Sequence, residues 1–446
     1  MPSPLSFSIA GRSRLTGARV GRITTPHGSI DTPAFMPVGT RGTVKGILPR
    51  DVAATGAQIL LNNTYHLLLR PGPETVRALG GVHRFMGWDR PILTDSGGYQ
   101  AFSMADTNAV DDDGVTFKSI VDGRAIRLTP ERATHVQNDL GSDIIMAFDD
   151  CPPSALPDDD RASIDSAAAA GDDSSTGPGP SAEPQAPARR DPRLARSIAR
   201  DASRGHYDHA ARLRVAADRT IRWLERCKAA HQRPHDQALF GIVQGGTDLA
   251  MRSRCVTDIC SIELPGYAIG GVAVGEASEQ IASVVRHTAP LMPDAKPRYL
   301  MGVGYERDLV AAVCAGVDMF DCVLPTRNGR NASAFTPTGQ IRLRNAKYAE
   351  DPAPIDPACD CPACDPAAHG WAIPAPFSRA YLRHLFMAGE MLGPILVTLH
   401  NLRHFQRLMV DLRRAAAQDS WSDLARAWPV AAPGLPPGLV PPESLR

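Results

Sequence analysis

The feature that most constrains this chain is a recurrence. Short apolar runs end in a polar or glycine residue, and each is followed by a stretch with helical periodicity. Eight such runs are legible, at 35–38 (FMPV), 58–62 (QILLN), 91–94 (PILT), 143–148 (DIIMAF), 239–243 (LFGIV), 267–271 (YAIGG), 298–302 (RYLMG) and 318–322 (DMFDC). Amphipathic patterns at 210–232, 247–261 and 306–316 lie between several of them. Apolar strands that alternate with helices need both sheet faces covered, which means a parallel sheet wrapped in helices. Eight units point to an α/β fold of the (β/α)8 TIM-barrel type, with a doubly wound open sheet as the rival that periodicity does not separate.

Two segments break the pattern. Residues 154–203 are rich in Ala, Pro, Asp and Ser and have almost no large apolar side chain before Leu194. Such a segment cannot bury enough surface to offset its ordering entropy, so a disordered insertion is expected there. The loop 365–377 is Pro- and Ala-rich, and a mobile Pro-rich tail is expected over 428–446. The expected domains are thus a catalytic barrel over 1–345 and a subdomain over 346–415 that also carries the last barrel helix.

Composition limits the class of function. The 446 residues carry 48 basic and 48 acidic side chains, so a nucleic-acid partner must be sought in local clusters. No apolar run is long enough to span a bilayer, and the N-terminus lacks a signal core. Nine cysteines scattered through a long chain argue against a secreted disulfide framework and fit the cytoplasm.

In a barrel, chemistry gathers where strands end. Asp95 ends the third strand, Asp149 and Asp150 the fourth, Gln244 the fifth, Gly270 and Gly271 the sixth, Gly302 and Gly304 the seventh, and Asp321 the eighth. Any one Asp in such a place can be a mere helix cap. Several carboxylates and an amide around one rim suit nucleophile and proton-donor work at a glycosidic carbon, and also suit the reading of a purine edge. The glycines do not have dinucleotide-loop spacing.

Cys359, Cys361 and Cys364 place three thiols within six residues. Tetrahedral Zn2+ needs a fourth donor; His400 is the best candidate, with His369, His384 and His404 as alternatives. Four filled positions imply a structural metal, and no deaminase H-x-E motif precedes the cysteines. Basic residues follow the eighth strand, namely Arg327, Arg330, Arg342, Arg344 and Lys347, then Arg379, Arg383, Arg403 and Arg407. A phosphate-binding face or ordinary solvated helix faces would each explain them.

The stretches TPAFMPVGT, NNTYHLLLRPG, LTDSGGYQ, MAFDDC, FGIVQGG, GYAIGGVAVGE, YLMGVG, MFDCVLPTRNGR, CDCPAC, SRAYLRHL and TLHNLRHF, in this order, resemble the bacterial-type tRNA-guanine transglycosylases (the queuine tRNA-ribosyltransferase family). The resemblance covers roughly residues 7–150 and 206–415. It implies a homodimer that acts on tRNA with a GUN anticodon. Guanine at the wobble position would be exchanged for 7-aminomethyl-7-deazaguanine (preQ1), in the making of queuosine. It also implies Asp321 as nucleophile and Asp95 as general acid/base. Asp149, Gln244 and Gly271 would bind the purine edge, with Tyr99 and Met301 on either side of the ring. Arg327 and Arg330 would contact tRNA, and Cys359, Cys361, Cys364 and His400 would hold zinc. Cys151 and Val274 match relatives that take preQ1 rather than queuine, and Glu276 stands nearby to favour an ammonium group. The chain departs from the family pattern in the 154–203 insertion, in the lengthened 365–376 loop, and in Asp150 where Glu is usual. Rival readings are an enzyme modifying the body of tRNA, a non-catalytic partner subunit and a retaining glycoside hydrolase.

Overall fold

The computed structural model describes residues 4–103, 108–152, 208–273, 276–373 and 375–440. The expected insertion at 154–203 and Val274 lie outside the described residues.

The chain opens with an antiparallel sheet of β1 (Ser6–Arg12), β2 (Arg19–Thr25) and β3 (Gly28–Thr32). The barrel begins with β4 (Ala34–Pro37), β5 (Leu60–Asn62) and β6 (Ile92–Thr94). A second antiparallel sheet, β7 (Asn108–Asp111), β8 (Gly114–Lys118) and β9 (Ala125–Leu128), then interrupts it. The barrel resumes with β10 (Ile144–Met146), β11 (Ala238–Val243), β12 (Gly266–Ile269), β13 (Arg298–Leu300) and β14 (Met319–Cys322). These eight strands are parallel and pair in chain order. β14 returns to β4, and a Val38–Leu61 bridge joins β4 to β5. The sheet is therefore a closed barrel and not an open doubly wound one, and each expected strand coincides with an observed one to within a few residues.

Alternation along the strands builds two cores. Met36, Leu61, Leu93, Ile144, Met146, Phe240, Ile242, Tyr299 and Met319 fill the barrel, and Leu5, Ile23 and Ile30 close its floor from the N-terminal sheet. Phe35, Leu60, Ile92, Ile145, Leu239, Ile269, Leu300 and Phe320 point the other way, into the helical layer. That two-sided burial is why the strands read as continuous apolar runs.

The floor is held by polar contacts to two buried aspartates. Arg19 binds Asp318 through Nε (2.9 Å) and Nη2 (2.5 Å) just before β14. Asp143, just before β10, accepts from His27 Nδ1 (2.8 Å), His83 Nε2 (2.9 Å) and Ile92 N (2.9 Å).

Beyond β14, the hairpin β15 (Ser333–Thr336) and β16 (Gly339–Arg342) leads into the cysteine-rich segment, and helix Leu392–Gln418 runs back along the barrel. The apolar cluster around the cysteines already includes Ala332, Ala334 and Leu343, so this module starts before the expected boundary at 346.

The expected mobile tail from 428 needs correction. Trp428, Ala431, Ala432 and Leu435 are buried in the main core. Trp428 Nε1 donates to Asp411 Oδ2 at 2.9 Å, and its indole packs on His404. A buried indole with a satisfied N–H outweighs the surrounding prolines, which had suggested an unpacked tail.

Candidate active site and metal centre

The C-terminal rim of the barrel gathers the residues singled out by strand ends. Asp95 follows β6 and is buried. Its Oδ1 accepts from Thr64 N (2.8 Å), and its Oδ2 accepts from Gln100 Nε2 (2.9 Å) and from Asn63 Nδ2. Burial pushes its pKa up to about 6 against those three donors, and the charge of Asp321 adds to the rise. The two carboxylates, from β6 and β14, therefore share one electrostatic environment.

Asp321 lies on β14. Its Oδ1 accepts from Tyr299 Oη (2.6 Å) and from Gly302 N (2.8 Å). Among the described residues its Oδ2 has no hydrogen-bond partner. Burial raises this carboxyl above the usual range, and the Tyr299 and Gly302 donors oppose the rise.

Asp149, after β10, accepts from Gln244 Nε2 at 2.6 Å and from Ser96 Oγ at 3.3 Å. Burial carries its pKa to about 7 despite these donors, and Asp150 contributes a like charge. Asp150 itself turns away from the rim. It takes two hydrogen bonds from Arg212 (2.9 and 2.6 Å) and one from Arg219 (2.5 Å), both on helix His209–Ala230. Of the two acids closing this strand, only Asp149 faces the site. The Asp150 pairs join the two ends of the chain that flank the insertion.

Gly271 has φ +61, and a Cβ there would stand 2.1 Å from Gln244 Oε1, so only glycine fits beside that amide. Tyr99, on helix Gly98–Ser103 after β6, is 40% exposed at the same rim, and Met301 follows β13 against the inner core. The burial of Cys151 beside Asp149 and Asp150 raises its thiol far above the ordinary range.

Helix Leu324–Arg330 leaves β14 directly after Asp321 and carries Arg327 and Arg330. It packs tightly on helix Leu392–Gln418, where a Cβ at Gly329 would meet Thr398 Oγ1 at 2.6 Å. Arg327, Arg342, Arg344 and Lys347 are exposed. Three of the four later arginines are engaged within the module, Arg379 with Asp351, Arg403 with Asp360 and Arg407 with Asp356, while Arg383 is half-buried with no ion pair among the described residues. The basic face therefore reduces to the residues near β14 through β16.

Cys359, Cys361, Cys364 and His400 are buried together, with one donor atom each within 4.8 Å of the others. His400 Nδ1 lies 3.5 Å from Cys361 Sγ and 3.4 Å from Cys364 Sγ. Its Nε2 donates to Phe335 O at 2.8 Å, which leaves Nδ1 as the lone-pair nitrogen on the cysteine side. Three soft thiols and one imidazole around a buried point can hold a metal ion. The alternatives are otherwise occupied: His404 pairs with Glu306, His369 bonds Asp360 O, and His384 stacks near Tyr381. Asn401, next to His400, accepts from Phe335 N and donates to Pro325 O and Ser333 O, each at 3.0 Å. Asn401 thereby ties the Cys3His cluster to the helix that follows Asp321.

Asn63, Gln100, Ser96 and Tyr299 were not singled out from sequence. Each lies at or beside a quoted motif (NNTYH, LTDSGGYQ, YLMGVG), but only the fold shows that its side chain meets a carboxylate.

The description of the family "Queuine tRNA-ribosyltransferase" matches residues 14–168 and 200–432, leaving out only part of the insertion between them. A queuine tRNA-ribosyltransferase of Thermus thermophilus is 47% identical over 423 residues, covering 95% of this chain and 93% of its own length. Those of Acetivibrio thermocellus (45%; 94% and 96% covered) and Oceanobacillus iheyensis (43%; 96% and 96%) are similar throughout. With the closed barrel, the carboxylate rim and the buried Cys3His cluster in place, the chain belongs to the queuine tRNA-ribosyltransferase family.

Proposed function

We propose that the protein is a pentosyltransferase that exchanges guanine at the wobble position of tRNA with a GUN anticodon for preQ1, through a covalent enzyme–tRNA intermediate. One observation carries the reading: Asp321 is fixed through one oxygen while the other is unengaged, and Asp95 lies within its electrostatic reach. A carboxylate held this way can attack the ribose anomeric carbon through Oδ2. The C–N bond to guanine breaks as the carboxylate–sugar bond forms, and the departing base takes a proton from Asp95. The incoming base then returns a proton to Asp95 and displaces Asp321 from the sugar. Two inversions give net retention. The ester keeps the sugar activated, so the exchange needs no nucleotide triphosphate.

The target base must leave the stack to reach such a site, and Tyr99 and Met301 would flank it there. A guanine edge offers adjacent N–H donors, which suits ionised Asp149, and Gln244 and Gly271 complete the recognition. Arg327 and Arg330 would meet the backbone next to the reacting sugar. Cys151 beside Asp149, with Glu276, favours preQ1 over queuine; Val274 enters this reading from the sequence alone. The Cys3His set fits one structural Zn2+ per subunit, which supplies folding energy and takes no part in the exchange.

A homodimer is supported by exposed apolar side chains on and after helix Arg379–Ala388, including Tyr381, Met387 and Met391. Nine unpaired cysteines agree with a reducing, cytoplasmic setting. No helix among the described residues is long and apolar enough to cross a membrane.

Radiolabelled guanine exchange into tRNA, with an oligosaccharide as the rival substrate, tests the reading. Asp321→Ala should bind tRNA but trap no denaturant-resistant adduct, and Asp95→Ala should lose most exchange with its fold intact. An adduct in Asp321→Ala, linked to another carboxylate, would overturn the assignment. Competition between preQ1 and queuine tests the base: equal efficiency would defeat that part.

A further inference from the structure

Arg252 was not among the residues singled out from sequence. It lies on helix Leu249–Ser261 after β11 and is fully buried. Its guanidinium binds four backbone carbonyls drawn from two adjacent barrel loops. Nε donates to Gly246 O (3.0 Å), Nη1 to Val243 O (3.0 Å) and Gly270 O (2.7 Å), and Nη2 to Gly271 O (3.1 Å). None of these partners is a carboxylate. A cation taken out of water, with peptide dipoles as its hydrogen-bond partners and Glu276 as a carboxylate neighbour, is expensive, so an arginine here needs a reason beyond filling space.

The reason lies in what the two loops carry. Val243 precedes Gln244, and Gly270 and Gly271 end β12. Gly245, Gly246 and Gly271 all have positive φ, which lets the carbonyls of Gly246 and Gly271 turn inward to the guanidinium. In a trans peptide the N–H points opposite to the C=O. Fixing the carbonyls of Gly270 and Gly271 on Arg252 therefore aims the N–H groups of Gly271 and Val272 away from it. Among the described residues neither N–H is donated to another backbone carbonyl. The positive charge behind these peptides also polarises them, which strengthens the outward donors. Gln244 is wedged in the same place, 2.6 Å from Asp149 and in contact with Gly270 and Gly271.

We infer that Arg252 is a positioning residue for base recognition. It clamps the loops after β11 and β12 so that Gln244 and the Gly271–Val272 amides present a preformed donor set to a purine carbonyl. The inference rests on the reading of Gln244 and Gly271 as base-binding groups. Arg252 touches neither the base nor the sugar, so its loss should weaken base affinity more than turnover or tRNA binding.

The test compares Arg252→Lys with the unaltered protein in guanine exchange, with KM for guanine, KM for tRNA and kcat measured separately and the fold followed by thermal melting. Lysine keeps the charge but cannot span four carbonyls. The expected result is a guanine KM raised on the order of tenfold or more, with tRNA KM and kcat within about threefold. An unchanged guanine KM would overturn the inference, and so would a uniform loss of all three parameters. If Arg252→Lys does not fold, Arg252→Met takes its place; failure of both to fold would overturn the inference by making Arg252 a determinant of the whole fold. Gln244→Ala separates the two levels. If it leaves guanine KM unchanged, the base-pocket reading itself falls. If it raises KM while Arg252→Lys does not, only the clamp falls.

Discussion

The carboxyl of Asp149 makes the most quantitative demand on the proposed site. Burial carries its pKa from 3.8 to about 7, against donors from Gln244 and Ser96. If the ionised form receives the base, its population sets the affinity. About one tenth is ionised at pH 6 and about nine tenths at pH 8, so KM for guanine should fall on the order of tenfold across that window. The sign follows from the group: affinity is present above about 7 and is lost as pH falls through it. The same shift has an opposite consequence for stability. A carboxyl raised in the folded state stabilises the fold below its unfolded value and loses that contribution as pH rises through the folded one. The distance from 3.8 to about 7 corresponds to roughly 4 kcal/mol of destabilisation at alkaline pH. Asp149→Asn should therefore have a high guanine KM that no longer varies with pH, and should melt at higher temperature than the unaltered protein at pH 8. Guanine exchange at saturating tRNA from pH 6 to 8, with melting curves on both proteins, measures both effects. A flat guanine KM in the unaltered protein, or a slope that survives in Asp149→Asn, would refute the reasoning.

Cys361→Ala should lower bound zinc and folding yield together, read by metal analysis and melting; full stoichiometry with normal stability would count against the Cys3His assignment. Deleting 158–192 should leave exchange within about an order of magnitude, because the segment lacks core-forming residues and Asp150 already ties the flanking chain to Arg212 and Arg219. Asp143 makes an acid-stability prediction. Burial alone would raise it, but the His83 and His27 contacts and the Ile92 N–H hold it at about 2. A lowered carboxyl stabilises above its unfolded value of 3.8 and loses this as pH falls through about 2, so Asp143→Asn should cost about 2 kcal/mol at pH 5 and flatten the acid limb of the melting curve.

The barrel was legible because strands buried on both faces read as unbroken apolar runs. The antiparallel sheets were not. β1 and β2, with sequences SFSIAGR and RVGRITT, alternate polar and apolar residues too weakly to stand out. Aspartates at strand termini show the same limit at the site. Asp143 and Asp149 flank one strand, and Asp318 precedes another near whose end Asp321 lies. Strand direction alone decides which make floor contacts and which face the rim. Asp150 was legible as a rim residue and is in fact held by arginines of a helix about sixty residues further on. No local pattern predicts such a pairing, nor the four carbonyls gathered by Arg252.

Burial raises all three rim carboxyls, so burial cannot assign their roles; the disposition of donors can. Asp95 has both oxygens occupied, by Thr64 on one and by Asn63 and Gln100 on the other. That arrangement holds the group still and, with a value of about 6, lets it exchange a proton near neutrality through the one lone-pair site, on Oδ1, that the three donors leave. Asp321 has both donors on Oδ1. They stabilise the negative charge and fix the group's orientation, and Oδ2 keeps its lone pairs for a bond. Asp149 lies against the amide of Gln244, which suits the base-recognition role proposed for it. Exchanging the first two roles would ask Asp95 to attack through an oxygen that already accepts from Thr64 N, whereas Oδ2 of Asp321 carries no donor among the described residues. The hydrogen-bond pattern thus favours Asp321 as nucleophile and Asp95 as proton carrier independently of any likeness to other proteins.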